Sequence, residues 1–443
     1  MGFLMSVLIA TEGEEQVVVR SAADKRRQWK MVGLFAVAAL ALLWFWTDID
    51  DPTVTYLLDN ARGEDPNTIN AHVVVVVGLV LTLVCLALAA LNRIPDGWPT
   101  VLAASVVGLA FLLGFLVWNY ADQSGSTFAM VNPLPGTVKY AVPLVFGALA
   151  GCLCERAGVI NIAIEGQFLF AAFWASVVAS FAGQAEYGLL GGIAAGIAIG
   201  ALLAVFAMRY LVNQVVLGVV LIALATGLTD FLLSQIPADP EIRARLNNPE
   251  TLGPVPDAGI PLLSSVADAL TGIPVIGPTI FDQTLLAYLM YVSIGVVAFL
   301  IFQTRWGLRV RSVGEHPKAA DTVGLKVNRL RWQAVLLGGA FAGLGGAYFT
   351  VGSNGAFTSG MSAGNGFIAL AAVIMGRWHP IYASLAALFF GLMTTLSSQL
   401  EFLGKVPASF LTALPYLATI IAVAGLVGRV RPPAADGEPY VKS

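Results

Sequence analysis

Charge is scarce in this chain. Asp, Glu, Lys and Arg make up 12% of its 443 residues, about half of what an ordinary soluble domain carries. Histidine and cysteine are scarcer still. The three histidines, His72, His316 and His379, lie far apart, and no catalytic or zinc constellation is visible. The three cysteines, Cys85, Cys152 and Cys154, all fall in or beside apolar runs. They fit neither a disulfide framework nor a metal site and read as small packing residues. A Gly-x-x-x-x-Gly-Lys-Ser/Thr phosphate loop is absent from the sequence, which excludes an ATPase of that type. A membrane-embedded enzyme is disfavoured by the lack of clustered His, Asp or Cys. No metal or cofactor is expected, and no nucleic-acid partner.

Apolar residues, by contrast, make up 57% of the chain, and the mean hydropathy is +0.80. Many uncharged runs approach bilayer length, so the expected fold is an all-α polytopic membrane protein with the lipid bilayer as its solvent. About twelve transmembrane segments are predicted, near 31–47, 71–91, 100–119, 137–154, 166–183, 187–210, 214–236, 284–303, 333–352, 366–377, 380–397 and 411–428. Residues 1–30 form a tail that ends in Lys25-Arg26-Arg27-Gln28-Trp29-Lys30. The apolar stretch 1–10 is too short for a signal peptide and lacks the basic start. The match of Met1-Gly2-Phe3-Leu4-Met5-Ser6 to a myristoylation pattern is read as chance.

Charge placement predicts the orientation. The segment 303–331 carries Arg305, Arg309, Arg311, Lys318, Lys326, Arg329 and Arg331 against Glu315 and Asp321. The basic cluster before the first span, and Arg429 and Arg431 after the last, point the same way. Segments 48–65 and 236–282 are instead acidic, each with six acids, against one and two arginines respectively. Both termini and 303–331 are therefore expected in the cytoplasm, with the acidic segments outside. The Pro- and Gly-rich stretch 237–282 reads as a solvated loop rather than a partner-docking surface.

One polar run interrupts the apolar pattern: Cys154-Glu155-Arg156-Ala157-Gly158-Val159-Ile160-Asn161-Ile162-Ala163-Ile164-Glu165-Gly166-Gln167. It joins two apolar helices, 138–153 and 168–181, without a turn-rich linker. The competing reading is a cytoplasmic hairpin between spans. Polar groups at membrane depth usually face a bundle interior or a water-filled path, and irregular backbone is tolerated there only when protein covers it or it lines a cavity. A broken helix is the reading preferred here. Asn161, Glu165 and Gln167 are then expected to border a solute path near the midplane, opposite Asn354 and Asn365. Glu165 either contacts the solute or accepts hydrogen bonds from backbone amides freed by the break. Phe168, Phe170, Phe173 and Trp174 follow the polar run and either stack on a ring or pack between helices.

A second stretch, Gly314-Glu315-His316-Pro317-Lys318-Ala319-Ala320-Asp321-Thr322-Val323-Gly324, reads as a short helix. Pro317 suits its first position and Gly324 the residue past its end. It spans about 10 Å, with Ala319, Ala320 and Val323 as a small apolar face. Such a helix is not stable alone in water and makes sense inserted into a partner's groove. A third signal is a possible inverted repeat. Gly147-Ala148-Leu149-Ala150-Gly151 precedes the interruption 155–167, and Gly338-Gly339-Ala340-Phe341-Ala342-Gly343-Leu344-Gly345-Gly346 precedes Gly352-Ser353-Asn354, Gly364-Asn365-Gly366 and the short run 367–375. Broken or short helices at matching places in oppositely oriented halves point to a midplane site; glycines alone also serve close helix packing.

Taken as a set, these motifs carry a resemblance. The run 155–167, the segment 314–324, Gly366-Phe367-Ile368-Ala369-Leu370-Ala371-Ala372-Val373-Ile374-Met375-Gly376-Arg377-Trp378 and Ala413-Leu414-Pro415-Tyr416-Leu417 resemble permease subunits of nucleoside-type ABC importers, within the ribose and branched-chain amino acid permease group. The likeness covers about 137–440. Ala163 stands where such permeases more often have glycine. The resemblance implies a permease core over 137–428, a cytoplasmic coupling segment over 304–331 and a tail over 429–443. Residues 31–130 hold extra spans and an acidic outer loop. It also implies a second homologous permease, a cytoplasmic ATP-binding subunit that uses the ATP, and an extracytoplasmic solute-binding lipoprotein. The ATPase-docking residues carry over onto Gly314, Glu315, His316, Pro317, Ala319, Ala320 and Gly324. Nucleosides follow from the resemblance, with a related sugar-containing solute as the variant. An ion-coupled secondary transporter using Glu165 is the alternative, and it would need no docking helix.

Overall fold

A computed structural model describes residues 22–57, 67–95, 97–123, 127–129, 133–237, 239–258, 263–273, 275–401, 403, 405–421 and 431–441. The chain divides into two compact units, Met1–Tyr56 with Pro66–Phe128, and Leu57–Asp65 with Ala129–Ser443.

The first unit is a three-helix bundle of α1 (Ala22–Asp48), α2 (Ala71–Ala90) and α3 (Trp98–Tyr120). α2 starts where the Asn70 side chain accepts from the Val73 amide at 3.3 Å. A run of Val, Leu and Ala without a single charge sustains it. Phe45, Phe111, Phe115 and Trp118 form a ring cluster between α1 and α3. The Trp118 indole N–H donates to Asp48 Oδ2 at 2.9 Å, satisfying the polar handle of a buried aromatic. Between α1 and α2, β1 (Thr53–Leu57) pairs antiparallel with β2 (Asn67–Asn70), Val54 opposite Ile69. A short β3 (Thr127–Ala129) completes the order β2-β1-β3.

The second unit is built on α4 (Pro133–Arg156), which is buried along nearly its whole length. Around it lie α5 (Ile164–Ala182), α6 (Ala185–Ala204), α7 (Gln214–Ser234), the short α8 (Pro240–Asn247) and α9 (Leu263–Thr271), and α10 (Leu285–Gln303). There follow α11 (Arg305–Glu315), α12 (Pro317–Thr322), α13 (Val327–Phe349), α14 (Asn365–Met375), α15 (Pro380–Glu401) and α16 (Ala408–Ile421). α13 packs on α4, α5 and α6, and α15 packs on α4. Small residues set the spacing. At the crossing of α6 and α13, a Cβ added to Gly339 would meet the Gly196 carbonyl oxygen at 2.7 Å. Such backbone contact is how helices associate in lipid, where burial of apolar surface supplies no drive.

Among the described residues ten helices are long and apolar enough to cross a membrane, and they coincide one for one with ten predicted spans. The predicted span at 366–377, tenth in chain order, is the short α14. The twelfth begins as α16, and its expected remainder, 422–428, lies outside the described residues, as do residues 1–21. The predicted interruption near 352–354 is a π-turn, Thr350–Asn354, that continues α13.

Gly339→Leu is expected to prise α6 from α13 and lower stability by about 1–3 kcal/mol. Thermal unfolding of the detergent-solubilised protein reads this as a lower midpoint, and an unchanged midpoint would show that the crossing tolerates bulk.

Candidate functional site

The polar run begins as the end of a helix. The Val159 amide donates to the Cys154 carbonyl at 3.0 Å and the Gly158 amide to Glu155 at 2.9 Å, with Gly158 at φ +79. This is a Schellman ending, and glycine suits its left-handed residue because it has no Cβ to clash. The Gly158 stop was readable in the sequence and is absent from the expectations above. The Ile160 amide, freed by the break, donates to Oε1 of the buried Gln214 at 2.7 Å. Asn161 Nδ2 donates to Gln167 Oε1 at 3.1 Å, and Gln167 Nε2 reaches the Gly196 carbonyl at 3.5 Å.

α5 then starts, with Glu165 in its first turn. Its carboxylate reaches across the bundle to α14. Oε1 accepts from Ser362 Oγ at 2.7 Å and from the Gly364 amide at 2.8 Å, and Oε2 accepts from the Gly366 amide at 2.7 Å. Gly364 is the residue that caps α14 and Gly366 lies in its first turn. A carboxylate here satisfies amides that have no partner within their own helix and lies at the positive end of the helix dipole. The other end of α14 is held by the last turn of α4. Arg156 Nε donates to the Trp378 carbonyl at 2.9 Å and Nη2 to the Arg377 carbonyl at 3.2 Å. The Trp378 indole N–H donates to Glu155 Oε2. Arg377 and Trp378 both sit in the left-handed region, φ +54 and +56, a conformation that persists where the surroundings over-determine it.

The structure thus sorts the expected pathway residues. Asn161 and Gln167 pair with each other in the interior, fully buried. Phe168 is also fully buried, its ring 5.7 Å from that of Phe349 and close to Gly147 and Gly345. Phe173 packs edge-on against Phe357. Asn365 is half-buried beside Glu165's donors, its Nδ2 donating to the Ser362 carbonyl at 2.8 Å. Asn354 is exposed in the π-turn and accepts from Ser353 Oγ at 3.2 Å. Of the geometric choices for Glu165, the amide-accepting one is what the structure displays.

One tether is unmarked in the sequence. Asn247, the last residue of α8, accepts from Ser176 Oγ and from the Phe357 amide, both at 2.7 Å. Its Nδ2 donates to the Phe357 carbonyl at 3.0 Å. It ties α5, α8 and the 355–364 stretch together.

The second motif folds as its boundaries predict. α12 opens on Pro317, and Gly324 follows its end at φ +85. Its faces differ from the expectation. Ala320 points into the chain's own core with Val310, Val313, Val327 and Leu330, while Ala319 and Val323 face out, Val323 76% exposed. The reason is helical phase. Positions 319 and 323 are four apart and share a face, whereas 320 lies about 100° round from 319. Gly314 is buried against the Arg156 carbonyl, so α11 touches the end of α4 there. With α4 and α5 each long enough to cross a membrane, the polar run is a turn between two helices.

Residues 135–426 match the family described as branched-chain amino acid transport system / permease component. The chain belongs to that family. It is 37% identical over 320 residues to the guanosine ABC transporter permease protein NupQ of Bacillus subtilis, covering 70% of this chain and 96% of NupQ. It is 38% identical over 315 residues to the nucleoside ABC transporter permease protein NupC of Lactococcus lactis, covering 69% and 95%. A further Bacillus subtilis protein, the guanosine ABC transporter permease protein NupP, is 27% identical over 305 residues, covering 66% of this chain and 82% of NupP. The motif-based resemblance therefore holds. As a family member the chain is a multi-pass transporter permease, and its three-helix first unit lies N-terminal to the matched region.

Glu165→Leu is expected to lower stability by about 1–3 kcal/mol for each amide left unpaired. Glu165→Gln, which keeps an acceptor oxygen, is expected to lose less. Thermal unfolding together with hydrogen exchange at Gly364 and Gly366 checks this; equal behaviour of the two variants would rule out the capping role.

Proposed function

We propose that this chain is one transmembrane subunit of an ATP-driven importer that brings nucleosides into the cell. It works beside a second, similar permease, with a cytoplasmic ATP-binding subunit and an extracytoplasmic solute-binding lipoprotein. Nucleosides are favoured by the names of NupQ and NupC, matched over nearly their whole lengths. A second permease is favoured by the likeness to both NupQ and NupP, two guanosine permease proteins of one bacterium. The Lys/Arg excess favours a cytoplasmic position for both termini and α11–α12.

The observation that carries the reading is the outer surface of α11–α12. Leu308, 61% exposed, and Val323 stand out from this segment with Ala319, among the exposed Arg305, Arg309 and Lys318. Apolar contacts inside a basic rim suit a protein partner better than bare solvent. The chain has no phosphate loop of its own, so the partner placed there is the ATP-binding subunit. Gly314, Glu315, His316, Pro317 and Gly324 shape the segment, and Ala319 and Val323 make the contact. On the solute side, Asn161, Gln167 and Phe168 hold the bundle. The groups offered to the solute are Asn365 and the exposed ring of Phe367 at the start of α14, with Asn354 nearer the end of α13. A carboxamide and an aromatic face suit the edge and plane of a nucleobase. The ion-coupled alternative is weakened by Glu165, whose two oxygens are already engaged by three donors of this chain.

Ala319→Asp is expected to leave the folded protein in the membrane while abolishing co-purification of the ATP-binding subunit and uptake. Ala320→Asp is expected to destabilise the fold itself, because it buries a carboxylate in an apolar cluster. Retained partner binding and uptake in Ala319→Asp would refute the docking assignment.

Uptake of labelled guanosine by the reconstituted transporter is expected to require ATP and to survive collapse of the proton gradient while ATP is held constant. Uptake by this chain alone, driven by an ion gradient, would overturn the ATP-driven reading.

A further inference from the structure

The C-terminal stretch 431–441 is built into the docking segment although it follows α16, more than a hundred residues further along the chain. It is a short series of turns. The Asp436 amide donates to the Pro433 carbonyl at 3.1 Å, and the Glu438 amide to Ala435 at 3.2 Å. Each turn meets a different element. The Ala435 amide donates to the Gly314 carbonyl of α11 at 2.9 Å, and the Ala434 amide to Glu315 Oε2 at 3.2 Å. The Tyr440 ring lies in the apolar cluster of Val310, Val313, Ala320 and Leu330, with Asp321 of α12 near its hydroxyl. Arg331 of α13 donates from Nη1 to the Glu438 carbonyl at 2.8 Å.

The same stretch presses on the turn between α4 and α5. A Cβ on Gly158 would meet the Ala435 carbonyl oxygen at 2.9 Å and Arg331 Nη2 at 2.8 Å. Gly437, at φ +77, lies against Ile160, so close that a Cβ there would meet Ile160 Cδ1 at 2.7 Å. Ile160 adjoins Asn161 and is five residues before Glu165.

The centre of this contact is polar and incompletely satisfied. Arg331 is 1% exposed, yet Nε and Nη2 have no hydrogen-bond partner, and neither has Asp436 Oδ1. Burial pushes the Asp436 carboxyl above the ordinary range, against the pull of Arg331. Backbone approach at Gly158 and Gly314 leaves the seam no slack, so a shift on one side is carried to the other.

We infer that residues 432–440 form a strap that transmits movement of α11 and α12 to the 157–163 turn between α4 and α5, with Arg331 as the positioning residue at its centre. The inference rests on the ATP-driven reading above. α12 presents Ala319 and Val323 outward to the ATP-binding subunit. Its inner side, Ala320 and Asp321, meets the strap, and the strap meets Gly158 and Ile160. A displacement of α12 thereby reaches the turn that positions Glu165, and through Glu165 the start of α14. The direct contact at Gly314 is held closed by the Ala435 hydrogen bond.

The test uses the whole transporter reconstituted in proteoliposomes with the second permease, the ATP-binding subunit and the solute-binding lipoprotein, and labelled guanosine as the probe. Three forms are compared: the unaltered chain, a chain ending at Val430, and Gly437→Val, which displaces the strap without removing it. Hydrogen exchange at the Ala435 amide reports undocking in the last. In both altered forms the ATP-binding subunit is expected to co-purify and hydrolyse ATP, while guanosine imported per ATP falls about fivefold. A merely structural strap would lower the unfolding midpoint and leave that ratio unchanged. An unchanged ratio with a fast-exchanging Ala435 amide overturns the inference. So does loss of the ATP-binding subunit from both forms, which would make the tail part of the docking surface. ATP-independent import by the unaltered transporter would instead overturn the reading on which the strap rests.

Discussion

The carboxylate of Glu165 sits on the amino end of an eleven-residue helix, and much of the second unit follows from that contact. α14 is about 16 Å long, too short to be stable by itself. Its first amides have no partner within the helix, and inside a bilayer water cannot supply one. Glu165 supplies acceptors for two amides and for Ser362. Nine residues earlier, Arg156 donates to the Trp378 and Arg377 carbonyls, just past the far end of the same helix. The last turn of α4 and the first turn of α5 thus grip α14 at both ends. The break between them is what lets one stretch of chain do both.

That arrangement constrains the rest of the bundle. The chain must pass from Arg156 to Ile164 without exposing its amides, and each device there serves this end. Gly158 closes the helix with a Schellman turn, Gln214 accepts from Ile160, and Asn161 pairs with Gln167. Close approach of α6 and α13 covers the pair from the other side. Asn247 then ties the 355–364 stretch, which leads into α14, to α5 and α8. Around α14 the interior is consequently a set of short elements joined by directional polar contacts. Such contacts switch between discrete arrangements more readily than a continuous apolar core deforms.

The α11–α12 segment shows how local and non-local effects divide. Pro317 and Gly324 delimit α12 through backbone geometry that operates within a few residues. Which of its alanines is available to a partner depends on what packs behind it. Tyr440 and Val313 do, and one of them comes from the far end of the chain.

Hydropathy and charge were enough to place ten long spans, the short α14, the interruption at 154–167 and the limits of α12, and the motifs were enough to indicate the family. These are properties of neighbouring residues: burial in lipid needs about twenty apolar positions in a row, and helix ends need particular residues at particular offsets. The interior placement of Asn161, Gln167 and Phe168 was beyond the sequence. So were the pairing of Glu165 with Gly364 and Gly366, the tether at Asn247 and the seating of the C-terminal strap. Each joins groups that are distant along the chain, about 200 residues in the case of Glu165, or depends on what packs around them. A carboxylate, a carboxamide or a tyrosine carries no mark of its partner until the helices have packed. Tertiary structure therefore decided which polar residues hold the bundle together and which remain exposed to a partner or a solute.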